Sequence, residues 1–263
     1  MFLSIDGQRV FSLAFGAGPR TFLAQAGWIG SSEVWLPTFE QLAPTWRTVA
    51  FDHRGAGETR VPVEAISYDA LVEDIFRVMD ALGIDRCVIG GESAGAQVVL
   101  DAALRQPDRF EGVVLVDGSA GLPRPPEARL SPITAPPRDW PGVDHAARMR
   151  WFTDLCFPED DVEPIRRWAH HILLRAEPEA AERLWGIGRP AVASLAERLS
   201  DVQPKVLLIY GERDVLMPAE AMQDLAGRLP HSQLVEISGA GHVPIMTRPE
   251  EVARAIEACF GAT

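Results

Sequence analysis

Lysine is almost missing from this chain: Lys205 is the single lysine among 25 Lys and Arg residues. We read that as genome composition, not function. Cysteine is scarce as well. Three of them, Cys87, Cys156 and Cys259, are odd in number and far apart, which excludes a disulfide framework and any metal-type spacing. Such thiols suit a reducing cytoplasm. No run of 18 apolar residues occurs, which argues against a membrane-spanning helix. Positive charge is in deficit, with a net charge of −12, so phosphate backbones and anionic lipid surfaces are poor partners. The opening residues, MFLSIDGQRV, put no basic stretch before an apolar one, and no secretory signal is expected. What remains is an ordinary globular composition, 47% apolar and 24% charged, in 263 residues that suit a single α/β domain.

Short apolar runs alternate with amphipathic ones. The strand-like runs are Val10–Leu13, Thr21–Ala24, Arg47–Phe51, Cys87–Ile89, Val113–Val116, Val206–Tyr210 and Leu234–Ile237. Most are apolar on both faces and bounded by Gly, Asp or Pro, as in buried strands of a parallel sheet. Asp6-Gly7 predicts a hairpin at the sheet edge. Tyr68–Leu82 and Ala96–Leu104 have helical spacing. The fold expected is therefore α/β, a mostly parallel, doubly wound sheet of about eight strands. Prolines crowd Leu122–Gly142, and helical segments alone follow, near 143–156, 161–176 and 177–186. Residues 120–188 read as a helical cap with a proline-rich hinge, inserted into a core formed by 1–119 and 189–263.

The chemistry concentrates at Gly91-Glu92-Ser93-Ala94-Gly95, a G-x-S-x-G between a strand and a helix. A turn that sharp strains its tip residue, and glycines two before and two after relieve the crowding. Ser93 then stands at the carboxyl edge of the sheet, where open α/β folds bind ligands. A serine hydroxyl needs a base oriented by a carboxylate. His242, in Gly239-Ala240-Gly241-His242, follows the last strand, ahead of a helix start signalled by a Thr247–Glu250 capping box. His53, in a turn, carries no functional signature, and His170 and His171 read as a solvated helix face. Asp214, in Tyr210-Gly211-Glu212-Arg213-Asp214, follows the penultimate strand at its carboxyl end, gives the chain order Ser, Asp, His and is the preferred carboxylate. Asp117 also ends a strand and competes for the same imidazole. Asp52 is read as a carboxylate that orders its own turn. Two backbone N–H groups must meet the oxyanion, and Ala94 and Trp28 are the candidates, with Gly27 allowing close approach. Gly27, Trp151, Phe152 and Trp168 are candidate pocket residues.

With these residues in view, the chain resembles the α/β-hydrolase superfamily, in particular its small capped members. The resemblance rests on the G-x-S-x-G at Ser93, the D-x-R-G-x-G at Asp52–Gly57, the G-x-x-D at Gly211–Asp214 and the G-H at Gly241-His242. It implies a Ser93–Asp214–His242 triad. One departure stands out: the family usually carries His-Gly where this chain has Ala26-Gly27, so the imidazole that buttresses the oxyanion loop is missing. The serine separates the chain from haloalkane dehalogenases and epoxide hydrolases, which use aspartate. The function expected is a cytoplasmic serine hydrolase of carboxylesterase or lactonase type, acting on a small-molecule ester or lactone with no cofactor and no metal. Alternatives are cleavage of a β-diketone carbon–carbon bond or of a carbamate or amide by the same site. From another class comes a non-catalytic small-molecule binder. Neither nucleic acid nor membrane is an expected partner, and the oligomeric state is open.

Overall fold

The computed structural model describes residues 1–118 and 144–261. In chain order, β1 (Phe2–Ile5), β2 (Gln8–Phe15) and β3 (Arg20–Gln25) precede α1 (Leu36–Leu42) and β4 (Trp46–Phe51). Then come α2 (Tyr68–Ala81), β5 (Cys87–Glu92), α3 (Ala94–Arg105) and β6 (Phe110–Val116). Four helices follow: α4 (His145–Cys156), α5 (Glu163–Leu173), α6 (Pro178–Leu184) and α7 (Arg189–Glu197). The chain closes with β7 (Lys205–Gly211), α8 (Ala219–Arg228), β8 (Ser232–Ile237), α9 (Pro244–Thr247) and α10 (Pro249–Phe260).

The strands form one eight-stranded sheet in the order β1-β2-β4-β3-β5-β6-β7-β8. β1 and β2 make the expected antiparallel hairpin, β2 joins β4 antiparallel, and every later pairing is parallel. Alternate residues of each strand enter different cores. Leu23, Val113, Leu115 and Leu208 pack with α2, α3 and α8, while Phe22, Val114, Val116 and Leu207 pack with α1 and α10. Two buried faces explain why these strands read as continuous apolar runs. In chain order α4–α7 lie between β6 and β7, where the sequence places the expected cap. Its proline-rich hinge, Leu122–Gly142, and Trp140 lie outside the described residues. Among those described, no helix is long and apolar enough to cross a membrane. All three cysteines are free.

One local expectation fails. Thr247 does not cap a helix: it closes α9, and α10 starts from Pro249 with no side-chain cap. Proline at the first helical position needs no N–H partner and presets φ, so Pro249 sets the start instead of a T-x-x-E pair.

Candidate active site

Ser93 is the only residue between β5 and α3, and it bends the chain with φ 52° and ψ −120°. A serine in that region stores on the order of 1–3 kcal/mol of strain. Two features hold it there. The Ser93 N–H donates to the Val116 carbonyl at 2.8 Å, tying the turn to the neighbouring strand. The flanking glycines let backbones touch: a Cβ on Gly91 would sit 2.6 Å from the Gly95 carbonyl oxygen, and one on Gly95 would sit 2.6 Å from that of Ala26.

Asp214 and His242 come from the ends of β7 and β8 at the same sheet edge. The Ser93 hydroxyl lies 2.9 Å from His242 Nε2, and His242 Nδ1 lies 2.7 Å from Asp214 Oδ2. A carboxylate only accepts, so the Nδ1 proton points at Asp214 and the Nε2 lone pair faces the hydroxyl. The other Asp214 oxygen accepts the Leu216 N–H at 2.7 Å. The side chain is wholly buried, and that of His242 is 4% exposed. The His242 loop is held from the end of α4 and the residues after it. The Gly241 N–H donates to Glu159 Oε1 at 2.7 Å, and the His242 N–H donates to the Cys156 carbonyl at 2.9 Å.

Asp117 lies in the same cluster without touching the imidazole in Asp214's place. One oxygen accepts the Gly211 N–H at 3.0 Å, and the side chain is fully buried beside Asp214. Burial, reinforced by the Asp214 charge, pushes the Asp117 carboxyl well above the usual range, which favours its neutral form beside Asp214. Asp117, Asp214 and His242 are the one set of possible metal ligands among the described residues, within 4.8 Å of one another. Both imidazole nitrogens are already engaged there, so a metal would have to dismantle the Ser–His–Asp chain. Cys156 is no rival nucleophile, because burial raises its thiol far above neutrality.

The loop after β3 packs against this turn. A Cβ on Gly27 would lie 2.8 Å from Ser93 Cβ, so only glycine lets the loop approach. Its N–H donates to Glu92 Oε2 at 2.8 Å. Its carbonyl accepts from Gly30 N–H and from His53 Nε2, each at 3.1 Å. Neither the Trp28 nor the Ala94 N–H has a hydrogen-bond partner among the described residues. Burial raises the Glu92 carboxyl above its ordinary range, opposed by His242 and by the Gly27 N–H, and Glu92 Oε1 is 3.9 Å from His242 Nε2.

A cavity of about 50 Å³ opens beside Ser93 and His242, walled by Trp28, Phe152, Ile172, Leu173, Val243 and Met246 among others. Of the proposed pocket residues, Gly27 and Phe152 line it. Trp151 and Trp168 do not. Trp151 is the helical neighbour of Phe152, about 100° around the axis, and Trp168 donates instead to Glu33 Oε2 at 3.2 Å. Trp185 is an aromatic that helical spacing alone could not place. Its ring meets Trp28 edge-on at 4.7 Å, and Phe152 packs against both, 5.1 Å from Trp28 and 6.3 Å from Trp185. Trp28 also ties to α6, donating from Nε1 to the Ala181 carbonyl at 2.9 Å. Asp52 orders its turn as expected, accepting the Ser32 and Glu58 N–H groups, both at 2.7 Å. His53 is the residue the sequence left without a role. The expected solvated pair splits: His171 is exposed, while His170 is half-buried, which lowers its pKa.

The sequence model of the alpha/beta hydrolase family matches residues 21–255. The chain belongs to that family. Among curated relatives, it is 29% identical over 260 residues to the Caulobacter vibrioides RutD protein, provisionally named a carbamate hydrolase, covering 91% of this chain and 90% of that one. It is 27% identical over 264 residues to the pimeloyl-[acyl-carrier protein] methyl ester esterase of Nitrosomonas europaea, covering 94% and 96%. Among solved structures, the enol-lactonase of Burkholderia xenovorans superposes over 100% of both chains with a TM-score of 0.83 at 18% identity, a likeness of fold.

Proposed function

We propose that this α/β hydrolase is a serine hydrolase that cleaves a small carboxylic ester or lactone through an acyl-enzyme. The observation that carries the reading is the continuous hydrogen-bond chain from Ser93 through His242 to Asp214, at 2.9 and 2.7 Å, with the hydroxyl facing an apolar cavity. Ser93 Oγ attacks the carbonyl carbon while its proton passes to His242 Nε2. The Nδ1–H bond to Asp214 stabilises the imidazolium. The carbonyl oxygen, now negative, is held by the Trp28 and Ala94 N–H groups; one such donor is worth about 2.7–4 kcal/mol. The carbon–oxygen bond breaks, and the leaving alcohol takes the proton from Nε2. Water then attacks the acyl-enzyme, its proton going to Nε2. The acid departs as Ser93 Oγ recovers that proton. No step calls on a cofactor. The described part of the expected cap, α4 and α5, covers the substrate, with Trp28 and Phe152 walling its apolar part.

A carbamate is the second reading, favoured by the RutD relative, whose name assigns it that bond class. A panel of p-nitrophenyl esters, lactones, carbamates and β-diketones, run with wild type and Ser93→Ala, tests the proposal. Turnover of esters or lactones that Ser93→Ala abolishes is expected. Turnover confined to carbamates moves the second reading forward, and turnover that survives Ser93→Ala overturns both.

A further inference from the structure

The family's usual imidazole at the start of the oxyanion loop is replaced here by Ala26, whose methyl group cannot anchor a peptide. An imidazole is nevertheless present, delivered from another strand. His53 follows β4, is 3% exposed, and places Nε2 3.1 Å from the Gly27 carbonyl oxygen. Its turn is stiff. Next to it, Arg54 makes a two-pronged, buried ion pair with Asp74, at 2.6 and 2.9 Å. On the other side, Asp52 binds two backbone N–H groups.

The Gly27 carbonyl belongs to the same peptide unit as the Trp28 N–H. A donor on that carbonyl fixes the direction in which the N–H points and, by polarising the amide, strengthens it as a donor. Both His53 ring nitrogens face carbonyl oxygens, Gly27 from Nε2 and Arg54 from Nδ1 at 3.3 Å. A neutral ring with its proton on Nε2 serves the shorter contact.

We propose that His53 is a positioning residue of the oxyanion hole, orienting the Gly27–Trp28 peptide through its carbonyl and replacing the imidazole absent at position 26. This rests on the reading of Trp28 N–H as an oxyanion donor in a Ser93 hydrolase. His53 itself touches no substrate. It acts when charge develops on the substrate oxygen, so its loss falls on kcat and leaves KM unmoved.

The test is steady-state hydrolysis of p-nitrophenyl acetate by wild type, His53→Leu, His53→Gln, His53→Asn and Ser93→Ala. Glutamine can present an N–H near the Nε2 position, whereas the asparagine amide stops near Nδ1. The leucine and asparagine variants should lose about 10- to 100-fold in kcat with KM within about twofold, since misplacing a donor costs rate on that scale. Glutamine should stay within about threefold of wild type. Should His53→Leu fail to fold, the glutamine–asparagine pair carries the same comparison. Wild-type kcat in the leucine or asparagine variant, equal loss in glutamine and asparagine, or a loss confined to KM would overturn the inference. Activity that survives in Ser93→Ala would instead overturn the hydrolase reading beneath it.

Discussion

The carboxyl edge of the sheet and the inner face of the cap build the two halves of one site by different means. At the sheet edge, position is set by backbone. Glycines at 27, 91 and 95 admit contacts that no Cβ could, and Ser93 sits at positive φ between strand and helix. On the facing side, position is set by side-chain packing, with Phe152 and Trp185 meeting each other and the Trp28 ring edge to face. The first construction tolerates almost no substitution and carries chemistry common to a family. The second can be repacked, and so the proposed function puts substrate choice there. Among the hydrogen bonds that join the halves, those of Glu159 and Cys156 hold the His242 loop, and that of Ala181 holds the Trp28 ring.

If that division holds, substitutions at the edge should strike kcat and substitutions on the cap should strike selectivity. The largest effect separates the two buried carboxylates. Asp214→Asn should lower kcat by about 10⁴-fold by removing the charge that holds the Nδ1 proton. Asp117→Asn should stay within about fivefold of wild type, since an amide still accepts from the Gly211 N–H and, like a neutral acid, puts no charge beside Asp214. Steady-state kinetics on one ester decides, and the reverse ranking would reassign the acid. Glu159→Leu comes next. It frees the Gly241 N–H and loosens the imidazole from the cap side, and a drop of about 10-fold in kcat is expected, as for misplaced catalytic groups. Unchanged kcat would mean that the cap does not position His242.

Phe152→Ala should move selectivity more than rate. Enlarging the cavity should raise kcat/KM for a bulky acyl chain relative to acetate by about 10-fold, the scale of one to two methylenes in an apolar pocket. An unaltered ratio would place the acyl group elsewhere. The smallest effect is on stability. The Asp117 pKa is raised by burial, so between the ordinary aspartate value and the raised one the folded state keeps a proton that the unfolded chain releases. Stability from this group therefore falls as pH rises through that window, by on the order of 1 kcal/mol per pH unit. Below an ordinary aspartate pKa of about 4, both states are protonated and the effect vanishes. Asp117→Asn should gain on wild type in urea midpoint as pH climbs from 4.5 to 8.5. A constant gap would contradict that sign.

The same contrast explains what was legible beforehand. Strands with two buried faces declare themselves as apolar runs, and the edge residues come with glycines that the backbone demands, so Ser93, His242 and the fold could be read from residue order. Chain order and the family resemblance prefer Asp214 to Asp117, but both follow strands, and only the 2.7 Å contact with His242 Nδ1 tells them apart in space. His53 escapes a sequence reading for a related reason. Its contact with Gly27 crosses from one strand end to another 26 positions away, and no local pattern records it. On the cap, helical spacing named Trp151 and Phe152 together, but which of two adjacent side chains faces the cavity depends on how α4 docks. Trp168 was assigned to the pocket for its aromatic character alone, whereas its indole N–H has a partner in Glu33.

The central claim is that Ser93 is a nucleophile activated by His242. Its most direct test is intact-protein and peptide mass spectrometry after exposure to a fluorophosphonate. The account predicts a single adduct on Ser93 in the wild type and none in His242→Ala over the same interval. Folded wild-type protein that stays unlabelled, or a His242→Ala variant that labels at the wild-type rate, would contradict it.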